Sequence, residues 1–596
     1  MSRRNKMIKK IVRRERIADD HLPSSLSPII KQLYACRGVQ SALQLELKVA
    51  NLQGLHTDDK QTGSLKGLPE ACDLLHSALM NNTNIVIVGD FDADGATSTA
   101  LMMVALTSMG SSNHSFLVPN RFEYGYGLTP EIVDIAATQG AQMLVTVDNG
   151  ISCVAGVNRA KALGLQVIVT DHHLPGHELP NADAIVNPNQ HGCPFVSKSL
   201  AGVGVAFYLM LALRSHLRAK EYFVNQEINE PNVAQLLDLV ALGTVADVVS
   251  LDANNRILVD QGLKRIRAGQ TRPGIQALIE VANKNQQRLV ASDFGFALGP
   301  RINAAGRLDD MSYGINCLLA PDLASARIIA MELDDLNKAR REIEQGMQLE
   351  AERVFKSLNF DDNNLPNAIA LYQKDWHQGV IGIVAGRLKE KFHRPCIVFA
   401  KGSEDDSLPL AQQEIKGSAR SIPGLHIRDL LEHIDSQHPD VILKFGGHAM
   451  AAGLSIKQQD FDKFQNILNE LAGIWLKAED LQSIILSDGA LDVNYLTLDF
   501  AEQLRDAGPW GQNFPEPLFD DVFSLVQQRI VGEKHLKIVV EKQGKIFDGI
   551  AFNIDVNAWP NTKTKQVHLA YRLDVNEFRG KRTVQLMVES MTAVEH

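Results

Sequence analysis

The sequence has few cysteines and lacks long hydrophobic runs. Its six cysteines, at positions 36, 72, 153, 193, 317 and 396 of 596 residues, form no CxxC pair. Neither a disulfide framework nor a zinc ribbon is therefore indicated, and a reducing cytoplasm suits these thiols. No run is long enough to span a membrane, and no apolar stretch follows the basic N-terminus, which argues against a signal peptide. We expect a cytoplasmic protein of about four domains with no membrane contact.

Acidic residues, by contrast, stand at the ends of three predicted strands. These strands are NIVIVGDFDADG (84–95), MLVTVDNG (143–150) and LQVIVTDHH (165–173). In an open α/β sheet, ligands collect at the carboxyl ends of parallel strands, so side chains delivered from three strands converge there. A fourth acidic residue, Asp247, lies in the apolar run 236–251, where a charge is costly to bury without a partner or a cation. The pattern predicts a bound divalent metal.

The ligand types indicate which metal. Carboxylate oxygens bind Mg2+ and Mn2+, whereas an imidazole is a better ligand for Mn2+, so a mixed set predicts Mn2+ or Mg2+. Five or more ligands suggest two ions. Two cations roughly 3.5 to 4 Å apart form the arrangement that hydrolyses phosphoesters by in-line displacement.

Each acidic motif also has a structural alternative. The DFDADG segment matches the start of an EF-hand loop, but position twelve of such a loop would be Leu101 instead of Glu. Residues 148–150 could form only a strand-ending turn, and residues 171–173 only a polar turn that caps a helix. Asp247 alone would be a paired core carboxylate. The four motifs together favour a metal site.

In this order and at these separations, GDFDADGATS, VDNG, DHH and GTVADVV resemble the DHH phosphoesterase superfamily. Four downstream segments narrow the resemblance to the RecJ family of bacterial single-strand-specific DNA exonucleases: LGPRINAAGRLDD (298–310), WHQGVIGIVAGRLKEKFHRPCIVFA (376–400), IKGSARSIPGLHI (415–427) and FGGHAMAAGLSI (445–456). The resemblance covers most of the chain.

The resemblance implies a 5′-to-3′ exonuclease that acts on single-stranded DNA in repair and recombination. It would hydrolyse phosphodiesters with two Mn2+ or Mg2+ ions and release 5′-mononucleotides. The expected metal ligands are Asp92, Asp94, Asp148, His172 and Asp247, with Asp148 bridging the two ions. Asp90 and His173 are expected to complete the ligand shells or to orient the ligands and the scissile phosphate. A single-stranded-DNA-binding protein is the implied protein partner, and a monomer is expected.

Further residues are candidates for substrate binding. Guanidinium groups hold phosphate, aromatic rings stack on bases, and glycine permits a close backbone approach. Isolated arginines more often form surface ion pairs, and the glycine-rich segments could be packing turns. The candidates are Arg121, Tyr124, Arg301, Asn303, Arg307, Ser418, Arg420 and His448.

The order of elements predicts an α/β protein with several domains. Strands alternate with helices from about 60 to 320, apolar residues then recur at helical spacing over 322–359, and a second α/β region and a β-rich region follow. The resemblance identifies these as a parallel-sheet DHH domain, a connecting helix, a DHH-associated domain and an oligonucleotide-binding (OB)-like barrel. The expected bounds are 1–60 for an N-terminal extension, then 61–321, 322–360, 361–484 and 485–596.

The charge distribution permits two roles for the basic N-terminus. The net charge of −10 argues against binding nucleic acid through overall charge, although it permits a local basic channel. Residues 1–16 carry eight Lys and Arg, which either add non-specific DNA affinity or form a solvated terminus.

Two other functions share parts of this pattern. Small-substrate phosphodiesterases, of the nano-RNase or cyclic-dinucleotide type, use the same metal motifs but need no additional β domain. Non-catalytic replication scaffolds of this fold lose metal ligands, whereas this chain keeps them.

Overall fold

A computed structural model describes residues 9–54, 63–120, 126–357, 365–402, 409–556, 558–578 and 580–594. The described chain forms two compact units. We call Glu15–Asn337 together with Asp499–Pro517 the N-terminal unit. The C-terminal unit contains the described residues up to Arg14, Lys338–Leu498 and those from Leu518 onward.

The N-terminal unit is built on a five-stranded sheet in which all neighbouring strands are parallel. Its spatial order is β3-β2-β4-β5-β6. The strands β2 and β4 are buried along their whole length, as expected for a sheet that is covered on both faces. The bounds are β2 Ile85–Val88, β3 His114–Leu117, β4 Met143–Val147, β5 Gln166–Thr170 and β6 Ala184–Val186.

Helices surround this sheet. The helices α3 (Ala93–Ser108), α6 (Gly202–Ala219) and α8 (Leu237–Ala246) pack on one another and are largely buried, because apolar or small residues occupy nearly all of their faces. The other helices of this unit are α1 Pro28–Ala35, α2 Leu68–Met80, α4 Pro130–Thr138, α5 Val154–Ala162, α7 Tyr222–Asn225, α9 Ala253–Arg267, α10 Pro273–Val281, α11 Ala291–Asp293, α12 Gly299–Leu308 and α13 Ser312–Leu319, with the π-helix Phe294–Leu298 before α12.

The predicted connecting helix is confirmed as α14, Leu323–Ser357, which contributes residues to both units. In its C-terminal part, the buried Glu344 carboxylate accepts hydrogen bonds from Arg340 at 2.5 Å and from Arg387 at 2.9 Å. The Arg340 bond lies within the helix, whereas the charge-assisted bond from Arg387 attaches the helix to the Ile381–Phe392 helix of the same unit.

A mixed sheet of order β10-β11-β9-β8-β7 forms the first half of the C-terminal unit. One of its faces packs on α14 and α15 and the other on α16 and α17, each through an apolar core. The bounds are β7 Ile369–Tyr372, β8 Cys396–Lys401, β9 Glu414–Arg420, β10 Lys444–Gly447, β11 Ala451–Lys457, α15 Ile381–Phe392, α16 Ile427–Gln437 and α17 Phe461–Trp475.

The predicted C-terminal barrel is also confirmed. It is closed, with the order β13-β14-β15-β17-β16, and buries large side chains such as Phe519, Phe523 and Tyr571. Before it, α18 (Leu498–Asp506) begins the segment that belongs to the N-terminal unit. The strands are β13 Phe519–Val531, β14 His535–Lys542, β15 Lys545–Ala551, β16 Gln566–Phe578 and β17 Lys581–Ala593.

The basic N-terminal segment is partly structured, so its described part is not a solvated terminus, and its affinity for DNA stays a prediction. Residues Lys10–Arg13 form β1, which pairs in parallel with β12 (Ile484–Ser487). The Arg13 guanidinium also donates two hydrogen bonds of 2.9 Å to the Asp520 carboxylate. Residues 1–8 lie outside the described residues. Among the described helices, none combines the length and the apolar character needed to cross a membrane.

Candidate metal centre

The predicted ligands of all four motifs meet at the carboxyl edge of the parallel sheet. Residues following β2, β4 and β5, together with the C-terminal cap of α8, form three overlapping groups. Within each group, one ligand atom per residue lies within 4.8 Å of the others. The groups are Asp90, Asp92 and Asp148; Asp148, His172 and His173; and Asp94, His172 and Asp247.

Helix N-termini hold the first motif. Asp92 caps α3, and its Oδ1 accepts from the backbone N–H groups of Asp94 at 2.9 Å and Gly95 at 3.0 Å. Asp94 accepts from the N–H groups of Gly202 at 2.6 Å and Val203 at 2.9 Å, at the start of α6. The positive ends of two helices therefore fix these carboxylates.

Asp148 lies at the centre of the cluster. The residue is 1% exposed and its backbone has φ 63°, a left-handed conformation that is uncommon outside glycine. A Cβ on Gly202 would lie 2.6 Å from the Asp148 Cβ and Oδ1 atoms, so glycine at 202 is needed for this approach. The His172 Nε2 atom lies 3.1 Å from Asp148 Oδ1 and 3.5 Å from Asp247 Oδ2.

Asp171, which was not among the predicted site residues, anchors the two histidines. Its Oδ1 accepts from the backbone N–H of His172 at 2.7 Å, from that of His173 at 3.0 Å and from His173 Nδ1 at 2.8 Å, while its Oδ2 accepts from Ile151 N at 2.9 Å. Burial lowers the pKa of His173, but the hydrogen bond and charge of Asp171 outweigh burial and raise that pKa to about 9. The aspartate of the DHH motif is the sequence feature that could have predicted this role.

The carboxylates of the cluster carry more negative charge than the protein neutralises. Burial raises the pKa of Asp94 to about 7, with a further contribution from the charge of Asp92. Burial and then the neighbouring carboxylates also raise the pKa values of Asp148 and Asp247 well above the ordinary value. A divalent cation would relieve this repulsion, and a donor set of carboxylate oxygens and imidazole nitrogens fits Mn2+ and Mg2+.

A tyrosine that was not predicted as a site residue lies beside the cluster. The Tyr126 hydroxyl donates to the backbone oxygen of Asp148 at 3.3 Å, and its ring meets those of Phe91 and His173 edge to face at 5.8 and 5.9 Å. The candidates Arg121 and Tyr124 lie outside the described residues.

The GPRINAAGR segment packs against the first motif. Asn303 Oδ1 accepts from the Ala93 N–H at 2.7 Å, and a Cβ on Gly306 would lie 2.0 Å from the Phe91 backbone oxygen. The Arg301 side chain pairs with Asp334 at 2.8 Å and is 9% exposed as a residue. Arg307 is half-buried in the last turn of α12. The contacts of Arg301 and Asn303 support the fold here, and phosphate binding by all three residues stays a prediction.

The remaining candidates lie in the C-terminal unit. Ser418 and Arg420 share one face of β9, as their spacing predicted, and Arg420 Nη1 donates to Ser418 Oγ at 3.1 Å. A Cβ on Gly382, at the start of α15, would lie 2.9 Å from Arg420 Nη2 and from Ser418 Oγ. His448 is exposed in the turn between β10 and β11, where its backbone N–H donates to the backbone oxygen of Ala451 at 2.8 Å.

The sheet and the cluster at its edge define a protein of the DHH class. The family model for the DHH family, N-terminal domain, matches residues 84–244, the DHHA1 domain model matches 365–473 and the RecJ OB domain model matches 487–590. Single-stranded-DNA-specific exonuclease RecJ of Salmonella typhimurium is 55% identical over 588 residues, covering 98% of this chain and 99% of the relative. That of Escherichia coli is 56% identical over 581 residues, covering 97% and 98%. The chain therefore belongs to the RecJ family of metal-dependent exonucleases.

Solved structures agree with this assignment. RecJ of Thermus thermophilus in complex with Mn2+ matches with a TM-score of 0.75 at 27% identity, covering 96% of this chain and 76% of that chain. Its complex with Mg2+ matches with a TM-score of 0.69 at 26% identity, covering 96% and 75%. These are the two ions that the donor set favours.

Proposed function

We propose that this protein degrades single-stranded DNA from the 5′ end, releasing 5′-mononucleotides, in DNA repair and recombination. The observation that carries the proposal is the convergence of five aspartates and two histidines at one sheet edge. Two divalent cations held there would activate water and neutralise charge on the phosphate oxygens.

The grouping of side chains supports individual roles. Asp92, Asp94, Asp148, His172 and Asp247 serve as ligands. Asp148 belongs to the group of Asp90 and Asp92 and also to that of the two histidines, which suits a bridging carboxylate. His173 Nδ1 donates its proton in a hydrogen bond to Asp171, so Nε2, on the opposite side of the ring, can orient the scissile phosphate.

The 5′ polarity is assigned to the Ser418 and Arg420 pair. A hydroxyl and a guanidinium lie together beside the first turn of α15, where the positive end of the helix dipole favours an anion. This set of donors suits a terminal phosphate.

Strand binding away from the metals is assigned to the barrel and to exposed aromatics. The closed barrel is of the kind that binds single strands by stacking and phosphate contacts. Phe296 is 81% exposed on the π-helix. Gly295 and Gly299, on either side of it, lie close to Val245 and Ala246, which directly precede Asp247. An exposed ring there could stack on a base. We propose the same role for the Tyr124 ring, with Arg121 contacting the phosphates of the DNA backbone.

The test uses single-stranded oligonucleotides labelled at the 5′ or the 3′ end, with Mn2+, and a cyclic dinucleotide for comparison. We expect immediate release of labelled mononucleotide from the 5′-labelled strand and only late release from the 3′-labelled strand. Faster cleavage of the cyclic dinucleotide would favour a small-substrate phosphodiesterase. Binding without cleavage would favour a replication scaffold.

Three further expectations belong to this proposal. The protein acts in the cytoplasm, which its six free cysteines suit, and it is a monomer. A single-stranded-DNA-binding protein is its partner. Sedimentation of the protein alone and with that partner tests the last two.

A further inference from the structure

Two asparagines after strand β6 contact the backbone of the metal-ligand histidines. Asn187 Nδ2 donates to the His173 oxygen at 3.0 Å, and Asn189 Nδ2 donates to the His172 oxygen at 2.6 Å and to the Lys198 oxygen at 3.2 Å. Asn187 Oδ1 also accepts from the Asn189 N–H at 2.7 Å, which fixes the orientation of the Asn187 amide.

These bonds complete the backbone hydrogen bonding of the histidine turn. Asp171 accepts from both histidine N–H groups, and the two asparagines donate to both histidine carbonyls. Residues 171–176 belong to no helix or strand, and the pairing of β5 with β6 ends at the bond from the Asp171 N–H to the Val186 oxygen, at 3.1 Å. Side-chain amides from the neighbouring strand end hold the turn instead.

The geometry points to Asn187 and Asn189 as positioning residues for the metal centre. By holding the carbonyls of the turn, they keep His172 Nε2 within 3.1 Å of Asp148 and 3.5 Å of Asp247. Groups that orient ligands in this way typically change metal affinity by roughly 10- to 100-fold when removed. The inference rests on the proposed function only in taking His172 as a ligand.

The chain offers a matched control for Asn189. Asn84, just before β2, is also half-buried and donates from Nδ2 to two backbone oxygens, those of Gln139 at 3.2 Å and Gly140 at 2.9 Å. It lies at the amino end of β2, whereas the metal cluster lies at the carboxyl ends of the strands. Asn84→Ala and Asn189→Ala therefore remove similar bonds from opposite ends of one sheet.

The experiment measures Mn2+ binding to the full-length protein without substrate, by the loss of the free Mn2+ electron paramagnetic resonance signal. We expect Asn189→Ala to raise the Mn2+ dissociation constant roughly tenfold or more and Asn84→Ala to leave it within twofold. In thermal unfolding with EDTA, the two substitutions should lower Tm by similar amounts. Because saturating metal refills the site, kcat of Asn189→Ala should recover as Mn2+ is raised.

The outcomes separate this inference from the proposed function. Wild-type protein that binds no Mn2+ would contradict the proposed metal centre itself. Normal Mn2+ affinity in folded Asn189→Ala, or an equal loss of affinity in Asn84→Ala, would overturn the positioning role. Should Asn189→Ala fail to fold, Asn187→Ser, which keeps a small hydrogen-bonding group in the 0%-exposed position, is measured in its place with the same criteria.

Discussion

Two buried carboxylates in this protein have opposite electrostatic surroundings. Asp148 lies among other carboxylates, and its pKa is well above the ordinary value because of burial and their repulsion. Asp520 is equally buried, but Arg13, Ser487 and His568 all donate to it, and they outweigh burial to lower its pKa to about 2. The protein neutralises Asp520 with its own groups, whereas the negative charge around Asp148 calls for metal ions. This contrast distinguishes a structural acid from a functional one.

Replacing Asp148 should give the largest effect. Asp148→Asn keeps the shape of the side chain but removes the charge proposed to bridge two cations, so kcat/KM should fall by roughly 10³-fold or more. Mononucleotide release from a 5′-labelled single strand measures this loss. The same change should not destabilise metal-free protein, because it removes like-charge repulsion. Asp134→Asn, in a surface pair with Arg159, is the control. Turnover within tenfold of wild type by folded protein would contradict a bridging role.

The two carboxylate sites should also respond to pH in opposite directions. The raised pKa values of Asp94, Asp148 and Asp247 mean that the folded, metal-free protein keeps protons that the unfolded chain releases above an ordinary value of 3.8. The free energy of unfolding in EDTA should therefore fall as pH rises from about 4 through about 7.

Asp520 contributes in the other direction. Its stabilisation is complete above pH 3.8 and is lost as pH falls toward about 2. Urea unfolding across pH measures both effects. Saturating Mn2+ should abolish the decline near neutral pH and leave the acid limb in place, and a decline that persists with Mn2+ would place its origin outside the cluster.

Removing Asp520 should cost stability and not activity. Asp520→Ala removes a carboxylate that is hydrogen-bonded to three side chains and joins β1, β12, β13 and β16, so unfolding should require about 1.5 to 3 kcal/mol less. Asp548→Ala, which breaks a more exposed 3.7 Å pair with Lys537 in the same barrel, should change stability by less than about 1 kcal/mol. Equal losses in the two variants would remove the distinction drawn for Asp520.

Removing Arg420 should change the preference for the 5′ end. Arg420→Ala should weaken the use of 5′-phosphorylated strands relative to 5′-hydroxyl strands by about 1.5 to 3 kcal/mol, because one charged hydrogen-bonding partner is lost. The measurement is the ratio of kcat/KM for the two substrates. Arg428→Ala, on an exposed arginine of α16, should leave the ratio unchanged. An unchanged ratio in Arg420→Ala would mean a structural role.

Phe296 should give the smallest effect. Phe296→Ala should raise KM for single strands by an amount equivalent to about 1 kcal/mol and leave kcat nearly constant, because one stacking surface is lost while all the proposed metal ligands are kept. Tyr313→Ala, another exposed aromatic, serves as the control. Unchanged KM would remove Phe296 from the strand path.

Most of the metal cluster could be anticipated from the sequence, because its residues other than Asp247 follow buried strands that alternate with helices, and such strands are parallel. The contacts that hold those residues could not. Asn303 caps a helix 210 positions away, and Asn189 binds a carbonyl 17 positions away, and neither partner has a local sequence signature. In the sequence, Arg301 is indistinguishable from a phosphate-binding arginine, whereas the structure pairs it with Asp334. The long helix was predictable because its apolar residues recur at helical spacing. For the C-terminal region, periodicity indicated only strands, and the family resemblance supplied the barrel.

The pairing of β1 with β12 has a consequence for how the protein is made. Arg13 leaves the ribosome early, whereas its partner Asp520 lies 507 positions later, so this contact forms only when synthesis is nearly finished. The segment Asp499–Pro517 completes the N-terminal unit equally late, with the Arg256 guanidinium 4.3 Å from the centre of the Phe514 ring. Neither unit has all of its residues until synthesis has entered the last fifth of the chain. A fragment cut to the matched OB domain, residues 487–590, would therefore lack the Arg13 partner of Asp520.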